Sequence, residues 1–183
     1  MRKEEIVQEA YRIGFDQAQM LPASEVHYRP EFRKYCEMNY CGNYGNNYSC
    51  PPACGTPEEM EARTRDYDTV LVLQTITPVK DILDDDETKP IKLRHNAMTW
   101  SLIEENAGWL GECLPAMAGP CGLCSPCAIT QGEECRFPEK KASCLSAYCI
   151  KVDDLAQACG MPYWCEGKVA FFSLLFLKEN ERS

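Results

Sequence analysis

Thr69-Val-Leu-Val-Leu-Gln-Thr-Ile76 is an apolar, β-branched run of strand length, and it predicts a buried strand. Lys168 to Leu177 predicts a final strand of the same kind, and shorter strands are expected at Phe15–Leu21 and Leu114–Ala118. Helical patterns lie between them. Ile6, Ala10 and Ile13 share one face of a predicted helix over 3–13, with Val7 and Tyr11 alongside and Gly14 as its stop. Thr56-Pro57-Glu58-Glu59 is a helix start: Thr56 caps, Pro57 takes the first helical position and Glu59 completes a capping box, giving a helix to about Asp66. Further helices are predicted from Ile91 to Ala107, ended by Gly108, and from Glu139 to Tyr148 after Pro138. Another runs from Asp153 to Cys159, capped by Asp153 and stopped by Gly160.

This order of elements predicts an α+β fold: a small mixed sheet flanked by helices, with cysteine-rich loops at 36–55 and 119–138. A chain of 183 residues suits a single domain over 1–183, and 45% hydrophobic residues suffice for an ordinary core. There is no internal repeat of fixed period and no low-complexity tract. The formal charge of −9 argues against binding nucleic acid or an anionic membrane, whose phosphates would be repelled. The N-terminal MRKEEIVQEAYRIGF lacks the apolar stretch of a secretory signal. The longest apolar run, Val169 to Leu177, is broken by Ser173 and falls short of the roughly 20 residues that span a bilayer. A cytoplasmic location is therefore expected.

Thirteen cysteines are the dominant chemical feature. The number is odd, so not all can pair within the chain, and in a reducing compartment clustered thiols mean metal or redox chemistry. Cys121-Gly-Leu-Cys124-Ser-Pro-Cys127, with Cys135 eight residues on, carries the stronger signal. Two successive two-residue gaps let three thiolates turn inward from one tight loop, and C-x2-C-x2-C is the spacing of bacterial ferredoxin-type clusters. Cys135 does not follow at the usual three-residue gap. Zinc sites more often split into two C-x2-C pairs, so this spacing favours an iron–sulfur cubane, with zinc as the competing reading.

The second group is Cys36-Glu-Met-Asn-Tyr-Cys41 followed by Cys50-Pro-Pro-Ala-Cys54, in a loop rich in Asn, Gly and Pro. Its composition suits a chain wrapped around something, with backbone amides free to reach cluster sulfurs. Cys54, Cys144 and Cys149 are further candidate ligands. Cys113, Cys159 and Cys165 read more simply as packing residues.

Taken together, the two segments resemble a prokaryotic family, Domain of Unknown Function 2284, whose members are described as predicted metal-binding proteins. The resemblance rests on Cys36…Cys41-Gly-Asn-Tyr-Gly…Cys50-Pro-Pro with Gly55-Thr-Pro-Glu-Glu-Met60, and on Gly119-Pro-Cys121-Gly-Leu-Cys124-Ser-Pro-Cys127 with Cys135-Arg-Phe-Pro-Glu139. It covers nearly the whole chain. It implies a metal site carried by Cys36, Cys41, Cys50, Cys121, Cys124, Cys127 and Cys135, and no defined activity. The chain departs from the family pattern Ser-[Leu/Met]-Glu-Ala-x-Gly-[Ile/Val]-Asp-Val, reading Cys144-Leu-Ser-Ala-Tyr-Cys149-Ile-Lys-Val152 instead. Cys54 is also an addition.

Other chemistry is weakly represented. His27 and His95 are the only histidines and form no H-E-x-x-H pair, and no phosphate-binding glycine loop is present. The acidic run Asp84-Asp85-Asp86-Glu87 falls in a segment, 81–89, expected as a solvated loop. Tyr40, Tyr44, Tyr48 and Trp164 lie near cysteines and are either shields for a cluster or ordinary packing. The leading expectation is one or two 4Fe–4S clusters that exchange electrons with a partner protein. The alternatives are an iron–sulfur enzyme whose Cys36/Cys41/Cys50 site leaves one iron open to substrate, and a structural zinc module. Spacing alone does not name the catalytic residues, substrate or oligomeric state.

Overall fold

A computed structural model of the chain describes residues 3–178. Helix α1 (Lys3–Ile13) leads through Gly14 into strand β1 (Gln17–Pro22). Gly14 has φ +116, and its amide and that of Phe15 both bond to the Ala10 carbonyl, which ends the helix where the glycine predicted. Short helices α2 (Arg33–Glu37) and α3 (Pro57–Ala62) flank the first cysteine loop, and β2 (Thr69–Pro78) follows. Helix α4 (Asp85–Glu105) and the single turn α5 (Ala107–Leu110) return the chain to β3 (Cys113–Ala116). The second cysteine loop, α6 (Val152–Cys159) and β4 (Lys168–Leu177) complete the described chain. The fold class is α+β, as expected.

The four strands form one sheet in the order β1-β2-β4-β3, and each pairing is antiparallel. Among the described residues the parallel contact is an isolated bridge, Met117 to Cys144. Strands β2 and β4 occupy the centre and are covered on both faces, which is why both read as nearly continuous apolar runs. Leu71 and Leu73 of β2 pack with Leu175 and Leu177 of β4 against Ile6, Ala10 and Leu102 from α1 and α4. Val70 and Val72 pack with Phe172, Leu174 and Phe176 on the opposite face, against Met60, Leu145, Tyr148 and Leu155. Cys54 and Cys144 belong to that second cluster, so the end of the first cysteine loop lies over the face of the sheet that α1 and α4 leave open, while the second loop packs next to α4, with Gly119 close to Lys92 and Gly122 close to Leu93.

Two local expectations are corrected. The segment 81–89 is exposed, but its acidic run is not a loop. Asp84 caps α4 by accepting from the Asp86 amide at 2.9 Å, and Asp85, Asp86 and Glu87 fill the first turn, where the helix dipole favours carboxylates. The helix thus passes through Pro90, which in its second turn costs one backbone hydrogen bond without ending it. Residues 139–148 are not helical. The Met117 amide bonds to the Ser143 carbonyl at 2.9 Å and the Leu145 amide to the Met117 carbonyl at 3.1 Å, so pairing with the extension of β3 takes the backbone groups that a helix would need.

Candidate metal centre

The run carrying Cys121, Cys124 and Cys127 begins where α4 clamps the end of β3. Asn96 donates to the Ala118 carbonyl at 2.8 Å and accepts from the Ala118 amide at 3.0 Å. Beyond Cys127 the chain makes a 3₁₀ turn over Ala128–Gln131, held by the Thr130 hydroxyl on the Cys127 carbonyl at 2.8 Å, and reverses at Gly132. That reversal brings Cys135 back. The Cys121 thiol has Cys124, Cys135 and Cys127 as like-charged neighbours and the Leu123 amide beside its sulfur. Burial, the largest effect, raises its pKa, the amide opposes the rise and the neighbouring thiols add to it. Cys121 therefore has the other three residues of this predicted group within electrostatic reach, and each of the four is partly buried.

The second loop is shaped by its asparagines, whose side chains stand in for secondary structure. Asn39 accepts from the Tyr44 amide at 3.0 Å, Asn43 donates to the Cys41 carbonyl at 2.8 Å, and Asn46 donates to the Gly42 carbonyl at 3.0 Å. The Cys54 amide bonds to the Cys50 carbonyl at 3.0 Å, closing a tight turn between the two cysteines. Gly55, at φ +112, then turns the chain into α3; a side chain there would meet Glu59 at 2.8 Å.

The Cys36, Cys41 and Cys50 thiols predicted for this second group have three more, Cys54, Cys144 and Cys149, within electrostatic reach. Cys36 feels the charge of Cys144, Cys149 and Cys41; Cys50 feels that of Cys144, Cys41 and Cys54. Burial pushes the Cys36 thiol up to about 11 and that of Cys50 up to about 12, with Cys144 the largest like-charge contribution to each. Cys54 and Cys144 are buried beside one another. Cys41 is exposed at the rim.

Residues 47–49 join the two groups. The Ser49 hydroxyl accepts from the Cys121 amide at 2.9 Å and lies 3.8 Å from the Cys50 sulfur. Asn47 donates to the Cys121 carbonyl at 2.9 Å, and the Tyr48 hydroxyl donates to the Glu133 carbonyl at 2.8 Å. Asn47 and Ser49 are themselves buried. The two thiol groups are thus linked across a short polar bridge.

Arg33, one turn before Cys36, is the functional residue that sequence reasoning missed. Its guanidinium donates to the Gly55 carbonyl at 2.7 Å and to the Ala147 carbonyl at 2.9 Å, tying both sides of the second group together. Its Nε is buried without a hydrogen-bond partner. Its charge favours the thiolates of Cys36, Cys54 and Cys149. A thiolate-bound metal centre is anionic and rich in sulfur acceptors, so it fits this orphaned donor. Among the described residues no three Cys, His, Asp or Glu side chains converge closely enough to hold a single metal ion.

The remaining candidates fall elsewhere. Cys113 packs on the α1/α4 side of the sheet and Cys159, the last residue of α6, packs against the opposite core, where burial alone pushes its thiol up to about 11. Cys149 is buried at the edge of the second group, its sulfur 4.0 Å from the Pro30 carbonyl. Tyr40 and Trp164 are 86% and 70% exposed, so neither shields a thiol group in this structure. His27 pairs with Asp154 at 3.1 Å, and His95 bonds to Thr75 and Ser173. The His95–Ser173 contact is buried under α4.

The fold and the gathered thiols define a cysteine-rich α+β protein with the donor set of a metal-binding one. The chain belongs to the family described as "Predicted metal-binding protein (DUF2284)", whose model matches residues 19–177 and so spans both cysteine loops and the sheet from within β1 to the end of β4. Neither the curated proteins nor the solved structures gave a match. No helix among the described residues is long and apolar enough to cross a membrane.

Proposed function

We propose that the protein binds iron–sulfur clusters of the 4Fe–4S type in its two thiol groups and serves in one-electron transfer with a partner protein. The observation that supports the reading is the C-x2-C-x2-C run of Cys121, Cys124 and Cys127, with Cys135 within electrostatic reach of Cys121 after the turn at Gly132. When bound, such a cluster spreads an added electron over iron and sulfide, at a potential set by burial and hydrogen bonds to sulfur. The chain's own residues supply those controls. The Leu123 amide lies against the Cys121 sulfur, the Arg33 guanidinium offsets thiolate charge in the second group, and Ser49 spans the interval between the groups. Cys36, Cys41 and Cys50 supply ligands to the second centre. The net charge of −9 favours a partner with a basic docking face.

A second reading has its own observation. A cavity of about 130 Å³ opens beside Cys54, lined in part by Arg63, Lys141 and Tyr148. Two cations next to a thiol group suit a small anionic substrate, as an enzyme with an incompletely ligated metal would require. If Cys36, Cys41 and Cys50 are the only protein ligands of the second centre, this reading gains; a further thiolate there returns the balance to electron transfer.

Replacing single cysteines tests the assignment. Anaerobically prepared Cys124→Ala is expected to lose one centre, about half of the bound iron, and to unfold at lower temperature because ligation energy is also folding energy. Cys159→Ala should keep its full metal content. Equal iron loss from both variants would remove the basis for the ligand set.

A further inference from the structure

We propose that Cys144 is a ligand of the second metal centre and closes the site that Cys36, Cys41 and Cys50 begin. The inference rests on the metal-binding reading above and adds to it a residue from a third part of the chain.

Three observations meet at this side chain. The first is position. Cys144 is fixed by its bridge to Met117 and by the bond from the Leu145 amide to the Met117 carbonyl at 3.1 Å, so its backbone is tied to the end of β3. Cys36 reaches the same turn, its sulfur 3.9 Å from the Ser146 carbonyl. Cys144 packs in the same buried cluster as Cys54, and it is the thiol that weighs most, by charge, on Cys36 and Cys50.

The second is the turn around the sulfur. After Cys144 the chain folds tightly through Leu145, Ser146 and Ala147, with the Tyr148 amide on the Cys144 carbonyl at 3.2 Å and the Ile150 amide on the Leu145 carbonyl at 3.1 Å. This directs the Ser146 and Ala147 amides at the Cys144 sulfur. Successive amides converging on one atom make an anion nest; burial, the larger effect, raises the pKa of this thiol, and the amides oppose the rise. A buried cysteine that served only as a small apolar filler would gain nothing from two donors aimed at it.

The third is Arg33. It bonds to the Ala147 carbonyl in this turn and to the Gly55 carbonyl at the far side of the group, and its buried Nε lacks a partner. A positive charge spans the gap between the Cys144 turn and the 36–55 loop, where metal-bound thiolates would balance it.

The test counts metal in the unsubstituted protein, Cys144→Ser and Cys124→Ala, with electron paramagnetic resonance of the reduced samples. Serine preserves the size of the side chain and leaves the amide nest intact. Cys144→Ser is expected to lose one centre and its signal while the signal from the Cys121 group persists, which also reports that the chain has folded. Cys144→Ser with undiminished metal and both signals would overturn the inference while leaving the two-centre reading in place. An unsubstituted protein without iron or sulfide would sink the cluster reading; loss of one zinc from Cys144→Ser would then still support Cys144 as a ligand. If the protein binds no metal, both fall. Should Cys144→Ser fail to fold, hydrogen exchange on the unsubstituted protein decides. Peptides covering 144–148 should gain protection of at least about tenfold on metal loading, and unchanged exchange there would overturn the assignment.

Discussion

His95 shows how a single side chain is committed by its surroundings. It lies on α4 against the sheet, 1% exposed, with Nδ1 2.8 Å from the Thr75 hydroxyl, Nε2 2.9 Å from that of Ser173, and the Phe15 ring edge-on. Burial lowers its pKa to about 3 from an ordinary 6.5. The folded chain therefore holds it neutral while the unfolded chain takes up a proton below about pH 6.5. The sign follows: its contribution to stability is complete above that pH and is lost as pH falls toward 3. The loss is on the order of 1.4 kcal/mol per pH unit in that window. Denaturant unfolding of the unsubstituted protein and His95→Gln at pH 7 and pH 5 is expected to show the variant losing less stability over the interval; parallel losses would contradict the account. Nothing in the sequence around His95 marked it as buried, since its partners come from β2 and β4. The same distance in sequence hid much of the metal centre. Cys36 and Ser146 are 110 positions apart, and Ser49 and Cys121 are 72 apart. The spacing of Cys121, Cys124 and Cys127 was readable because one loop carries all three. The company that Cys144 keeps was not, because it depends on β3 and on Arg33.

At the scale of elements, local signals succeeded where they agreed with the tertiary structure. The capping box closed as read: the Glu59 amide bonds to the Thr56 hydroxyl at 3.2 Å and the Thr56 amide to the Glu59 carboxylate at 2.8 Å. Because α3 has only six residues and follows directly on Cys54 and Gly55, this cap also fixes where the cysteine loop ends. Thr56→Ala is expected to cost about 1 kcal/mol, read as a lower midpoint in denaturant at constant slope. No change in midpoint would mean that the cap is redundant. The final strand falls at Lys168–Leu177, as its apolar run predicted. The failures have equally definite causes. Pro90 reads as a boundary, but the Asp84 cap and the acidic first turn start α4 before it. Residues 139–148 carry enough helix-forming residues to read as a helix, yet Met117 takes their backbone partners.

At the scale of the molecule, one sheet separates two jobs. Helices α1 and α4 cover one face with an ordinary apolar core, and the opposite face carries Met60, Tyr148 and the buried thiols Cys54 and Cys144. The α+β class was legible from the alternation of runs such as 69–76 with helical segments. That the two cysteine loops are joined through Asn47, Tyr48 and Ser49 was not, since no pattern along the chain encodes which distant segments the fold brings together. This placement puts two thiol groups side by side, and the account holds that each carries an iron–sulfur cluster. The most direct measurement is the iron, acid-labile sulfide and zinc content of anaerobically purified protein, read with its visible spectrum. The account predicts iron and sulfide in equal amounts, about eight of each per chain for two cubanes, with broad absorption near about 400 nm. A colourless protein with stoichiometric zinc and no sulfide would contradict it.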